Sequence, residues 1–549
     1  MLPRLAVPPP TCDCQGADAS LRRHAGLRRG QRTSGPGRGH GAEARQLRGQ
    51  PGRGAHGDAD SWHHGLSGYP GGRTGAHGHY PGHGAHFRGH RSPRRFESRL
   101  RPGAGRPVDG RAPVRLGRAL GFWDVYAIAL GQVIGSGIMV LVGIGIELTA
   151  YAIPLAFLVS AGLSLLKQWP IAFLGSAMPA TGGLYVYCKR VLGPGLGFFY
   201  LALLLITHIL IALFALGFAQ YALALVPGLP ARGVAVGILA LFFFVNLFGV
   251  RVAALLQRVM IVVLVLGLAV LVAFGWGEVN PAPFKDPAQL FPQGAYGFAL
   301  ACVILSFATG GAQFISELGG EMANPERDLP RAMLGATLTA ALLFTLVSVV
   351  AVGVLPLEQT AGQSLAKVAE AILPAPLYLA FIIGAGLFAL ATSINATFSW
   401  ATKAVLIACE DGWLPRSLAM VHPRFGTPHR LLLGLFLLGA TPIALGWELR
   451  YIIMIGGGLV FIYDTLPLLA AFLLPRRLPE VFAQARMRLS AGRLRAVSVL
   501  ALLVVLGQAA LSFSDVDGVG WALVGAYLVL VAGYVRLRGE AMAIIKVAP

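Results

Sequence analysis

Five ionisable side chains, Asp124, Lys167, Arg258, Glu317 and Glu321, stand inside long apolar runs of this sequence. Placing a charge at membrane depth costs at least about 2.5 kcal/mol, so such groups are functional candidates by default. A buried carboxyl can carry a proton, and a buried ammonium can neutralise a carboxylate. Glu317 and Glu321 are four residues apart. On a helix that spacing puts them on one face, and like-charge repulsion would leave a single proton between them at neutral pH. The competing reading of Glu321 is an end-of-helix partner for Arg327 or Arg331. Lys167 either snorkels or pairs with one of the two glutamates, and Asp124 serves as a helix cap. Thr392 and Ser393 could join helix carbonyls around a sodium ion, although small hydroxyls in membrane helices more often bond their own backbone. His208 reads as a hydrogen-bonded interior residue and not as a ligand. The five cysteines, at 12, 14, 188, 302 and 409, are too scattered for a disulfide framework, and none has the companions of a metal site.

A second kind of chemistry belongs to the backbone. Residues 131–139 read GQVIGSGIM and residues 305–321 read LSFATGGAQFISELGGE, each in the middle of an apolar run. A glycine inside a helix costs about 0.5 to 1 kcal/mol relative to alanine. Where such a helix unwinds, its N–H and C=O groups lose their partners, and at mid-membrane a polar ligand can replace them. The half-helix that follows points a partial positive charge at a carboxylate, and freed carbonyls receive an ammonium or a cation. An α-amino acid, with both charges on one carbon, fits that pair. Gly162 and Gly384 lack such a setting and are read as helix-packing glycines.

The elements that must position these groups follow from composition. The chain has 549 residues, a mean hydropathy of +0.65, 55% apolar and 13% charged residues, against about 25% charged in soluble proteins. Twelve apolar segments lie between residues 122 and 535, each long enough to cross a hydrocarbon core about 30 Å thick as a helix. The first spans 122–146, the sixth 294–321 and the twelfth 518–535, so the glycine-broken segments open two consecutive groups of five. Paired broken segments at corresponding positions point to an inverted-repeat transporter. Lys and Arg gather in alternate loops, among them Lys189, Arg190, Lys403 and six arginines between 476 and 495, which places both termini in the cytoplasm of a multi-pass cell-membrane protein. Residues 1–114 differ in kind. The first 120 residues hold 21 Arg, no Lys and ten of the 13 His, and this Arg/Gly/His-rich composition is expected to be disordered. An RNA- or lipid-binding arm and a plain solvated tail are open readings. The favoured one is translation of GC-rich DNA upstream of a true start near Val108 or Val114. Residues 536–549 read as a cytoplasmic C-terminal tail.

The stretch GFWDVYAIALGQVIGSGIM resembles the first helix of amino acid permeases of the amino acid–polyamine–organocation (APC) superfamily. Further matches follow in order: PATGGLYVYCKRVLGPGLGF at 179–198, NLFGVR at 246–251, GGEMANPERDLPRA at 319–332, ATSINA at 391–396 and EDGWLPRSLAMVHPRFGTP at 410–428. The resemblance implies an all-α polytopic membrane protein over residues 115–535. Its twelve transmembrane helices would form a leucine-transporter-type 5+5 inverted repeat with broken helices 1 and 6, plus two C-terminal helices. It implies secondary transport of amino acids or related amines by alternating access, as proton-coupled symport or exchange. It also implies that Ile134, Gly135, Ser136, Gly137 and Ile138 supply the helix-one part of the substrate site. Phe307, Ala308, Thr309, Gly310 and Gly311 would supply the helix-six part, with Phe307 as a lid. Two positions depart from the family: Leu264 stands where several proton-coupled members carry a helix-five lysine, and Phe173 where the family has a helix-two acid. Coupling is therefore not carried over, and Glu317, Glu321, Thr392 and Ser393 are its candidates here. The expected partners are an amino acid or amine, membrane lipid, and a proton or sodium, with no nucleic acid, cofactor or resident metal. The chain has no HExxH and no Walker A motif, so an enzyme is not expected and transport would draw on gradients. The alternative is a transport-inactive amino acid sensor or assembly subunit on the same fold.

Overall fold

The computed structural model describes residues 118–447, 449–512 and 518–547, and its regular elements there are all helical. The expectations for residues 1–114 fall outside the described residues. Lipid offers no partner to a free N–H or C=O, so apolar segments of this length close their own hydrogen bonds as helices. They run in order: α1 Phe122–Thr149, α2 Ile153–Ala177, α3 Gly183–Leu192, α4 Pro194–Thr207, α5 Ile211–Leu225, α6 Ala231–Leu247, α7 Val250–Gly275, α8 Gly294–Thr309, α9 Pro325–Val354, α10 Ala375–Phe381, α11 Phe388–Glu410, α12 His429–Ala444, α13 Leu449–Arg477, α14 Ala491–Ser512 and α15 Gly518–Val547. Proline sits in the first turn of α2, α4, α9 and α10, where its missing N–H would be unpaired anyway.

Among the described residues nine helical stretches are long and apolar enough to cross a membrane, and α6 and α12 are shorter apolar helices. Their outer faces are those of a protein in lipid. On α7, Leu255, Val259, Val262 and Leu266 recur at helical spacing and are each more than half exposed. A stripe of that kind marks a lipid-facing surface and not a water-facing one. The last helix runs on to Val547, through most of the stretch read from sequence as a tail.

The centre is built around α1, which packs on α7, α8, α9 and α11. A chain of side-chain amides ties α6, α7 and α11 together. Ser399 donates to Asn246 at 2.9 Å, Asn246 to Asn395 at 2.9 Å, and Asn395 to Gln257 at 2.7 Å. Gln257 then donates to the carbonyl of Thr392 at 3.2 Å. All of these residues are buried, and a satisfied buried network of this kind fixes helix register.

At one end of the bundle, three non-helical segments meet through their main chains. Ala119 and Leu120 donate to the Glu321 carbonyl at 2.9 and 3.0 Å, and Ala323 donates back to Leu120 at 2.9 Å. Gly182 donates to the Glu317 carbonyl at 3.0 Å. The Lys189–Asp411 ion pair, at 2.6 Å, lies between α3 and the end of α11.

Candidate functional site

Both helices expected to be broken are broken. Within α1, Gly135 has φ 3° and ψ −127°, outside the helical region. After α8 ends at Thr309, Gly310 is extended and Gly311 takes φ 102°, a left-handed conformation that a side chain strains against. The chain resumes as a 3₁₀ turn over Ala312–Glu317. The two interruptions lie side by side. A Cβ on Gly137 would come within 2.7 Å of the Ala308 Cβ and 2.8 Å of its Cα, so backbone meets backbone here. The absence of side chains at 135 and 137 is a condition of the fold.

A cavity of about 90 Å³ opens at this junction. That is several times the roughly 10 to 15 Å³ a single water needs, so the cavity has room for a few waters or a small ligand. From the expected site, Gly137, Phe307, Gly310 and Gly311 line it. Ile134, Gly135 and Ile138 are buried behind the lining, as is Ala308. The hydroxyl of Thr309 turns away to Ser164 at 2.9 Å. The Ser136 side chain lies outside the described residues.

The sequence reading missed much of the wall. Gln132 accepts from Trp400 Nε1 at 2.8 Å and from Thr397 at 3.3 Å, and Phe314 stacks flat on Trp400 at 4.1 Å. His208 bonds the Leu204 carbonyl through Nδ1 at 2.6 Å, as expected of an interior residue, yet it also lines the cavity. Asp464, in the middle of α13, faces the cavity opposite Lys167 of α2, with 3.9 Å between Lys167 Nζ and Asp464 Oδ2. A carboxylate in mid-span was itself the signal that could have found it.

Several charges are partnered differently from the expectation. Lys167 does not meet a helix-six glutamate; it meets Asp464 and donates to Gln508 at 3.1 Å. Glu321 pairs with Lys403 of α11 at 2.7 Å, both buried, and not with Arg327 or Arg331. Glu317 and Glu321 share no helix face, because α8 has ended and residues 318–323 are bridge, turn and bend. Glu317 is fully buried, one oxygen accepting the Leu184 N–H at 3.2 Å and the other without a partner. Asp124 caps α1 through the Gly121 N–H at 3.0 Å and pairs with Arg258. Ser393 donates to the Gly131 carbonyl at 3.0 Å and so joins α11 to α1 just before its break, whereas Thr392 bonds within its own helix, to the Ala389 carbonyl at 2.8 Å, and is 3.5 Å from that of Gly131. Gly384 packs against Val263, but a Cβ on Gly162 would meet nothing within 4 Å, so Gly162 is no packing glycine. Leu264 and Phe173 are buried apolar residues, with no charge at either position. Outside the spans, burial and the Asp411 carboxylate beside it push the Tyr185 hydroxyl well above its usual value.

A family model described as amino acid permease matches residues 120–534. The chain is 32% identical over 345 residues to an uncharacterized transporter of Mycobacterium tuberculosis, covering 59% of this chain and 73% of the relative. It is 25% identical over 336 residues to the branched-chain amino acid permease of Bacillus subtilis, covering 57% and 72%. With the serine/threonine exchanger of the same organism it shares 24% over 326 residues, covering 57% and 73%.

Proposed function

We propose that this chain, which belongs to the amino acid permease family, moves an α-amino acid across the cell membrane by secondary active transport with alternating access. The family and the relatives are transporters and not enzymes. The observation that carries the reading is that the two interrupted helices meet at the Gly137–Ala308 contact, with Gly137, Gly310 and Gly311, beside the breaks at Gly135 and Gly310–Gly311, lining one cavity. The half-helix that begins after Gly135 offers unpaired N–H groups to the substrate carboxylate. The end of α8, with carbonyls released at the break, receives the ammonium. Phe307, on the cavity wall, covers the bound molecule.

On this reading the twelve expected spans form the 5+5 repeat with two added helices, and the loops rich in Lys and Arg face the cytoplasm. Relatives named for branched-chain amino acids and for serine and threonine favour an uncharged amino acid here. Glu317 is the candidate carrier of a coupling proton, because it is buried, has a free oxygen and stands at the foot of the helix-six break. Glu321 is occupied by Lys403 and drops behind it, and Thr392 and Ser393 remain the candidates for a sodium ion. The test is uptake of radiolabelled amino acids into proteoliposomes holding the purified protein. Saturable uptake of at least one, responsive to an imposed proton or counter-substrate gradient, is expected. A protein that binds amino acids but moves none is a sensor, and one that binds none refutes the placement of the site.

A further inference from the structure

Lys403–Glu321 at 2.7 Å, Lys189–Asp411 at 2.6 Å and Arg258–Asp124 at 3.0 Å are ion pairs in close contact. Lys167 and Asp464 are as deeply buried as the first of these pairs, yet 3.9 Å apart. Neither reaches the other within hydrogen-bonding distance. Lys167 is held back by Gln508 and by the Phe461 ring, 5.3 Å from its Nζ. Asp464 shares the cavity wall with Gln313, whose oxygen accepts the Gly311 N–H at 3.0 Å at the helix-six break. Both charges line the cavity. A buried pair held open in this way is a poor stabilising device, but it makes a good receptor.

We propose that the gap between Lys167 Nζ and Asp464 Oδ2 recognises the side chain of the transported amino acid, and that it is fitted to a hydroxyl or a carboxamide. One oxygen placed about 2.8 Å from both atoms spans 3.9 Å at an angle of roughly 90°, which a hydroxyl meets by accepting from Lys167 and donating to Asp464. A carboxamide does the same with its oxygen and its NH₂. The pair is neutral as a whole, so an ionic side chain in the gap loses to one partner what it gains from the other and is left with the uncompensated cost of its desolvation. An apolar side chain satisfies neither group.

This inference rests on the reading that an amino acid occupies the cavity. A water oxygen fits the same gap, and an apolar substrate would leave it there. The deciding measurement is therefore binding of isosteric pairs, threonine against valine and asparagine against leucine, to the purified full chain in lipid nanodiscs. The expected result is a preference of about tenfold or more for the polar member of each pair. In K167M/D464L, which removes both charges together, the threonine-to-valine ratio falls to near one whatever the absolute affinities. If that variant does not fold, the wild-type ratios still decide. Equal binding of threonine and valine, or a preference kept in the double variant, overturns the inference and leaves the transporter reading standing. Binding of no amino acid at all overturns both.

Discussion

Gly137→Ala adds one methyl group at the contact between the two broken helices. The new carbon would lie 2.7, 2.8 and 3.0 Å from the Cβ, Cα and carbonyl oxygen of Ala308. Two of those three atoms are main chain, so no rotamer change relieves the overlap, and α1 and α8 must part by several tenths of an ångström. Overpacking of this kind costs about 1 to 3 kcal/mol, offset by the 0.5 to 1 kcal/mol that alanine gains over glycine within a helix. The net loss, up to roughly 2.5 kcal/mol, falls at the proposed substrate site, because Gly137 and Phe307 line the cavity. Proteoliposome uptake at subsaturating substrate should fall, by up to about seventyfold. The control is Gly162→Ala, where the added carbon meets nothing within 4 Å. The same helix-propensity term acts there alone, so its thermal stability should hold or rise and its uptake should match wild type. Gly137→Ala with wild-type uptake and affinity would refute the claim that the α1–α8 contact shapes the site.

Three further outcomes are expected. Lys403→Met leaves the Glu321 carboxylate buried without its partner, at a cost of about 3 to 5 kcal/mol, and should sharply lower the apparent melting temperature, while K403M/E321L recovers most of it; equal damage in single and double variants would count against the pair. Gly311→Ala forces a side chain into φ 102°, adding about 1 to 3 kcal/mol of strain, and should reduce uptake more than Gly310→Ala, since Gly310 sits in extended backbone open to any residue; the reverse order would sink the assignment of the turn. Glu317→Gln should flatten the pH dependence of uptake in proteoliposomes, and an unchanged profile would remove Glu317 as the coupling group.

The helix breaks were legible because they are local. Glycine in the middle of an apolar run carries its cost in its own sequence, and Gly135 and Gly311 interrupt their helices as that cost suggests. The partners of buried charges were not legible, because pairing across helices has no sequence spacing. Lys167 and Asp464 are brought together by the packing of α2 on α13, and Lys403 meets Glu321 from a helix far along the chain. The shared face imagined for Glu317 and Glu321 failed for a related reason. It assumed that helix geometry runs through the glycines that end it, where a 3₁₀ turn and a bend stand instead. Asp464 was overlooked although its position in mid-span was as informative as that of Lys167.

The junction of Leu120 with Glu321 and Ala323 is made by amides and carbonyls alone. On the alternating-access reading proposed above, access to the cavity from that end of the bundle would part these bonds, each contributing about 0.5 to 1.5 kcal/mol. Because no side chain takes part in these bonds, point-mutation screens would pass over the junction however much it governs the cycle. Its opening is instead written in hydrogen exchange: the amide protons of Leu120 and Ala323 should trade with deuterium at the frequency with which this gate unlatches. A transported substrate that changes that frequency would make those two peptide groups a clock for the transport cycle.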